Sequence, residues 1–207
     1  TDNLGNVYSV GWFRDVVDFD SGVGVFNLVS EGGADIFVQK LDINGNFIWA
    51  KKIGGQAHES ISEIVVDSLG FLYMTGVFED TVDFDPSLNV FNLVSEGNQD
   101  VFIQKLNANG ELVWATRTGG EGYEGIGSMS IDTFGNVYIT GYFSDTVDFD
   151  PGIEEFNLVS EGGGDVFTQK LDAFGNFLWA INVGGIENDK GTAIVTDHLG
   201  DVFTLGY

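Results

Sequence analysis

Asp67-Ser68-Leu69-Gly70-Phe71-Leu72-Tyr73-Met74-Thr75-Gly76 decides the fold, because the chain says nearly the same thing elsewhere. It opens with Asp2-Asn3-Leu4-Gly5-Asn6-Val7-Tyr8 and repeats Asp132-Thr133-Phe134-Gly135-Asn136-Val137-Tyr138. It starts the phrase again in part at Asp197, a constant step of 65 residues. Phe-Asn-Leu-Val-Ser-Glu-Gly stands unchanged at 26–32, 91–97 and 156–162, and Val-Asp-Phe-Asp at 17–20, 82–85 and 147–150. Gly-Gly closes the units at 54–55, 119–120 and 184–185. Self-similarity at one period, with no insertion or deletion, is the signature of a repeat architecture. The chain therefore reads as one segment, 1–207, with repeats 2–66, 67–131 and 132–196 and a partial repeat 197–207.

Turn chemistry sets the strand count within a unit. Ile61–Val66 runs into Asp67-Ser68-Leu69-Gly70, and Val101–Leu106 into Asn107-Ala108-Asn109-Gly110. Both are short Asx-rich turns with glycine where positive φ is needed, flanked by β-branched and aromatic residues. Two hairpins make four strands, and no apolar stripe of helical period interrupts them. The prediction is an all-β chain of four-stranded antiparallel blades, a β-propeller-like tandem repeat. A unit of 65 residues exceeds the roughly 40–50 of common propeller repeats. The excess, Glu79 to Gln99, reads as an ordered insertion with an extra edge strand. Propellers close with about 4–8 blades, so three units and a fraction predict a fragment of a longer array. Its open blade edges would favour self-association.

Three further strings carry a resemblance. Gly-Asn-Val-Tyr-Ile-Thr-Gly at 135–141, Asp-Val-Phe-Thr-Gln-Lys-Leu-Asp-Ala-Phe-Gly-Asn-Phe-Leu-Trp-Ala at 165–180 and the following Gly-Gly resemble the SBBP family of seven-bladed β-propeller repeats. The resemblance covers the chain apart from the insertion. It implies large secreted or cell-surface bacterial proteins and brings no catalytic residues.

Composition limits the partners. Eight Lys and Arg stand against 32 Asp and Glu, a formal charge of −24, which repels phosphate backbones and excludes nucleic acid as the expected partner. A hydrophobic content of 43% argues for a packed core rather than disorder. Cysteine is absent, so neither disulfides nor thiol chemistry are available. No run of 18 apolar residues occurs, and membrane insertion is not expected.

Two constellations are candidate sites. Asp18 and Asp20, repeated as Asp83 and Asp85 and as Asp148 and Asp150, are spaced to project to one side of an extended chain. Paired carboxylates of this kind suit a hard, oxygen-seeking cation such as calcium; as plain turn residues they would instead bond nearby backbone N–H groups. The second constellation follows the Gly-Gly, where the repeat breaks its own symmetry: His58 and Glu59, Tyr123 and Glu124, Asn188 and Asp189. Variable loops on a rigid scaffold are the usual place for ligand binding. Trp49, Trp114 and Trp179 are expected in the core. Lys40, Lys105 and Lys170 are expected to snorkel or to pair with Asp35, Asp100 and Asp165. With two histidines, no cysteine and every acid triplicated, no unique nucleophile–base constellation emerges. The sequence thus predicts a non-catalytic extracellular or cell-surface module that binds protein or cell-surface glycan. A calcium-stabilised adhesin or filament module is one alternative; part of a secreted hydrolase, with its catalytic residues outside this segment, is another.

Overall fold

The computed structural model describes residues 1–207 and contains strands, turns and no helix. The first unit supplies β1 (Val7–Phe13), β2 (Val16–Asp18), β3 (Asn27–Val29), β4 (Asp35–Leu41) and β5 (Phe47–Gly55). The second supplies β6 (Glu59–Val66), β7 (Leu72–Phe78), β8 (Thr81–Asp83), β9 (Asn92–Val94), β10 (Asp100–Leu106) and β11 (Leu112–Gly120). The third repeats this as β12 (Glu124–Ile131), β13 (Val137–Phe143), β14 (Thr146–Asp148), β15 (Asn157–Val159), β16 (Asp165–Leu171) and β17 (Phe177–Val183). β18 (Gly191–Thr196) and β19 (Val202–Gly206) begin a fourth.

Each complete unit is a four-stranded antiparallel meander, β6-β7-β10-β11 and β12-β13-β16-β17, as the two predicted hairpins require. The turns between paired strands hold Gly70, Gly110, Gly135 and Gly175 at φ of 73–85°, the left-handed region that glycine enters without a Cβ penalty. Asp67 completes its turn by accepting the N–H groups of Leu69 and Phe71 on one oxygen, at 2.8 and 2.9 Å.

The blades are buried on both faces. One apolar cluster joins Ile36, Val38 and Ile53 of the first unit to Leu72, Met74, Phe78 and Phe102 of the second. The next joins Tyr73, Val101 and Ile103 to Val137, Ile139, Phe143 and Phe167 of the third. Alternate residues of β7 thus serve different cores, which explains why this strand reads as a continuous apolar run rather than an alternation. The blades also touch along their first strands. The Met129 N–H donates to Glu63 at 2.5 Å, and the Ser130 and Thr196 hydroxyls lie 3.2 Å apart. This is the stacking of a β-propeller-like protein.

The insertion differs from the expected single edge strand. It is a hairpin of two three-residue strands, and it leaves its own blade to pair with the preceding one. Gly54 and Gly55 of β5 lie opposite Asp83 and Val82 of β8; Gly119 and Gly120 of β11 lie opposite Asp148 and Val147 of β14. Alternation within Val-Asp-Phe-Asp makes this possible. Val82 and Phe84 are fully buried, and Phe84 packs between Phe78 and Phe102 at centroid distances of 5.3 and 5.0 Å. Gln104 then donates its side-chain N–H to the Phe84 carbonyl at 2.5 Å. The hairpin is a clasp from each blade to the one before it.

Candidate functional site

The repeated aspartates sit on the outer side of this clasp. Asp83 accepts the N–H groups of Asp85 and Phe91 on a single oxygen, at 3.0 and 2.8 Å, and Asp85 accepts that of Ser87 at 2.9 Å. Asp18 and Asp20 repeat these bonds to Asp20, Phe26 and Gly22, and Asp148 and Asp150 to Asp150, Phe156 and Gly152. One oxygen of every carboxylate is therefore committed to shaping the hairpin. No group of three or more His, Asp or Glu side chains converges in the geometry of a metal shell. Asp148 and Asp150 do border an open cleft of about 750 Å³ between β11 and the next clasp, which also carries Glu96, Glu121, Asp145 and Glu155 around Arg117.

The residues after the Gly-Gly divide into two sets. Glu59 and Glu124 are fully buried, and neither oxygen of either carboxylate has a hydrogen-bond partner. Each faces a buried aspartate of the preceding blade: Glu59 faces Asp35 and Glu124 faces Asp100. Arg117 donates to Asp100 at 2.6 Å and also holds Glu96, while Lys52 bridges Glu31 at 2.7 Å and Asp35 at 3.4 Å. Each junction thus gathers three carboxylates, two of them fully buried, around one cation. Burial foremost, reinforced by the facing aspartate, pushes Glu59 up to about 7 and Glu124 up to about 9 from an ordinary 4.5. Burial likewise raises Asp100 to about 6, against the opposing pull of the Glu96 N–H and Arg117. Glu59 and Glu124 thus belong to the blade junction rather than to a surface open to ligand.

His58, Tyr123 and Asn188 are the outward set, and all three are exposed. Tyr123 and Asn188, with Asp189, line a recess of about 390 Å³ formed by the third unit and its link to β18, together with Tyr142, Asp145 and Lys190. The Lys190 ammonium lies 4.5 Å from the Tyr142 ring centre. Asn188 shapes the floor by accepting the Gly164 N–H at 2.9 Å, and Asp189 accepts that of Gly185 at 3.1 Å. Tyr142 and Lys190 were not singled out from the sequence. Both break the repeat: Trp12 and Val77 occupy the positions of Tyr142, and Ser60 and Gly125 those of Lys190. That asymmetry was the available signal.

The ion-pair expectation is corrected, and the core expectation for the tryptophans holds at the core's edge, where Trp49 and Trp114 pack against the two large clusters. Lys40, Lys105 and Lys170 do not pair with Asp35, Asp100 and Asp165. They lie over the rings of Tyr8, Tyr73 and Tyr138 at 4.7–4.9 Å, because adjacent strands place each lysine directly opposite its tyrosine. The tryptophans are half-buried, and their polar end has a task. Trp49 donates its indole N–H to the Ala108 carbonyl at 3.3 Å and Trp114 donates to Ala173 at 3.1 Å, each in the next blade.

No protein-family profile matches this chain. It is similar to the "Uncharacterized WD repeat-containing protein L264" of Acanthamoeba polyphaga mimivirus, 28% identical over 219 residues, 91% of this chain and 15% of that protein. It is also similar to the "Regulatory protein FlaEY" of Caulobacter vibrioides, 24% identical over 147 residues, 71% of this chain and 15% of that protein. The chain spans about 15% of the length of either relative, and what it shares with the first is a repeat protein of the propeller-like kind.

Proposed function

We propose that this chain is a non-catalytic interaction module whose ligand is another protein, bound at the Tyr123–Lys190 recess. The observation that carries the reading is the coincidence of three properties in one place. The recess is where the repeat departs from itself, it is lined by exposed Tyr123 and by Tyr142, and it holds one of only eight cations in a chain of charge −24. Exposed aromatics beside a mixed-charge rim are the composition of protein contact surfaces. No nucleophile–base pair lines the recess, and its hydrogen bonds serve the loop. Similarity to a WD repeat-containing protein supports the same reading. An extracellular or cell-surface setting rests on the SBBP-like strings and the acidic composition. Placing a photo-crosslinking amino acid at Tyr123, and at exposed Leu88 as a control, tests the site in extracts of the source organism. A discrete adduct at 123 alone supports the recess. Equal labelling at both positions removes it.

Calcium is a second reading, favoured by the acid-lined cleft beside Asp148 and Asp150. Because no carboxylate shell converges there, a cation would be held largely through water and weakly, as in extracellular modules.

A further inference from the structure

Gly163 and Gly164 stand where the second unit has Asn98 and Gln99. In that unit both amides are in use. Asn98 donates its side-chain N–H to the Gly122 carbonyl at 3.5 Å, and Gln99 donates to the Glu124 carbonyl at 2.9 Å. The third unit keeps the two carbonyls, on Glu187 and Asp189, and has lost both donors. Its glycines differ in the room they leave. A Cβ at Gly163 would stand 2.7 Å from the Asn188 side-chain oxygen and 2.8 Å from the Glu187 carbonyl oxygen. At Gly164 the nearest atoms would lie at 3.5–3.7 Å, the Tyr142 ring among them, and the backbone is not left-handed. The first unit carries Ala34 at the same position. Neither space nor backbone demands glycine at 164; its effect is to hold the recess open.

What then surrounds the opening is mostly acceptors and aromatic faces. Asp145 is exposed and spends its backbone N–H on Ser160, leaving its carboxylate without a partner in the chain. Asp189 uses one oxygen on the Gly185 N–H. Lys190, the one cation, rests over Tyr142, whereas Tyr123 is 58% exposed. Carboxylates, carbonyls and π faces all favour a cation rich in donors. A guanidinium meets them better than an ammonium, because its planar fork stacks on a ring while its edge donates several hydrogen bonds. An acidic ligand would meet Asp145 and Asp189, and an apolar one would leave the acceptors unpaired. The charge of −24 draws basic partners from a distance.

We propose that the group captured by the recess is an arginine side chain of a basic partner protein, stacked on Tyr123 and paired with Asp145. Its donors take the place that the Asn98 and Gln99 amides fill in the second unit. This rests on the reading of the recess as a protein-contact site and adds the chemistry of the contact.

Titrating the 207-residue chain with three capped tripeptides, followed by the ring resonances of Tyr123 and Tyr142, tests the proposal. The peptides carry arginine, its neutral isostere citrulline, or glutamate between two glycines. Arginine should give saturable shifts that weaken with added sodium chloride. Citrulline should bind at least about fivefold more weakly, and glutamate should not bind. Gly164→Gln restores the residue of the second unit and should abolish the arginine response with unchanged far-ultraviolet dichroism. Asp145→Asn, at a φ of 61° that asparagine tolerates, should weaken it by about two- to fivefold. It serves as the check should Gly164→Gln fail to fold. A saturable glutamate response, an arginine response equalled by citrulline, or one that survives both variants overturns the arginine ligand. So does silence with all three peptides. In each of these cases a discrete photo-crosslink from position 123 still upholds the recess as a contact site, and its absence removes that reading as well.

Discussion

Glu124 shows what a single residue costs this fold. It is fully buried with both oxygens unpartnered, and it faces Asp100 of β10, Arg117 of β11 and Asp145 of the turn before β14. Its folded form holds a proton up to about 9, whereas an unfolded glutamate loses it near 4.5. Between those values the native state binds more protons, so stability is full below the lower value and falls as pH rises through the upper one. Glu59, raised to about 7, and Asp100, raised to about 6, add to the same slope over narrower windows. Glu124→Gln removes the ionisable proton while keeping the shape. Its melting temperature should match the wild type near pH 5 and exceed it by several degrees at pH 9; a gap that does not widen with pH would sink the assignment. The sequence placed Glu59, Glu124 and Asp189 in a variable loop. It could not say which of them turn inward, because the facing Asp35 and Asp100 lie 24 positions earlier in another blade.

At the scale of the element, the inserted hairpin is short strand pairing made useful by one aromatic. Two three-residue strands hold few hydrogen bonds, and such a hairpin is marginal by itself. Phe84 anchors it between Phe78 and Phe102, and Phe149 does the same between Phe143 and Phe167. Phe84→Ala should cost about 3–5 kcal/mol, the range for deleting a large buried aromatic, measured by urea denaturation. Asp83→Ala removes the acceptor of two backbone N–H groups at a half-buried position, and should cost about 1–3 kcal/mol. If Asp83→Ala proves the more harmful, the carboxylate does more than shape the turn. The four blade strands were legible from turn residues and period. The clasp was legible only as an ordered insertion, because its partner strand belongs to the preceding unit and no local pattern specifies it.

For the whole molecule, stability is set by blade contacts, which are complete only in the middle. β10 is buried along its full length, whereas β19 is mostly exposed. Hydrogen exchange should therefore be slowest in β7 and β10 and fastest in β2, β3 and β19, as expected of a linear array of coupled repeats. Uniform protection would contradict that gradient. A net charge of −24 opposes compaction, and screening relieves it. Sodium chloride should raise the melting temperature. Calcium at equal ionic strength should raise it further if the cleft beside Asp148 binds the ion; identical curves would leave these carboxylates as hairpin formers. The sequence by itself determined the period, the strand count, the turn glycines and the absence of helix, since each depends on residues close along the chain. The tertiary structure alone decided that the insertion clasps the preceding blade, that Lys40 and its counterparts rest on tyrosine rings, and that Glu124 is buried against Asp100. Those outcomes depend on which surfaces of different units meet, and a repeated sequence writes every unit alike without stating how one is placed against the next.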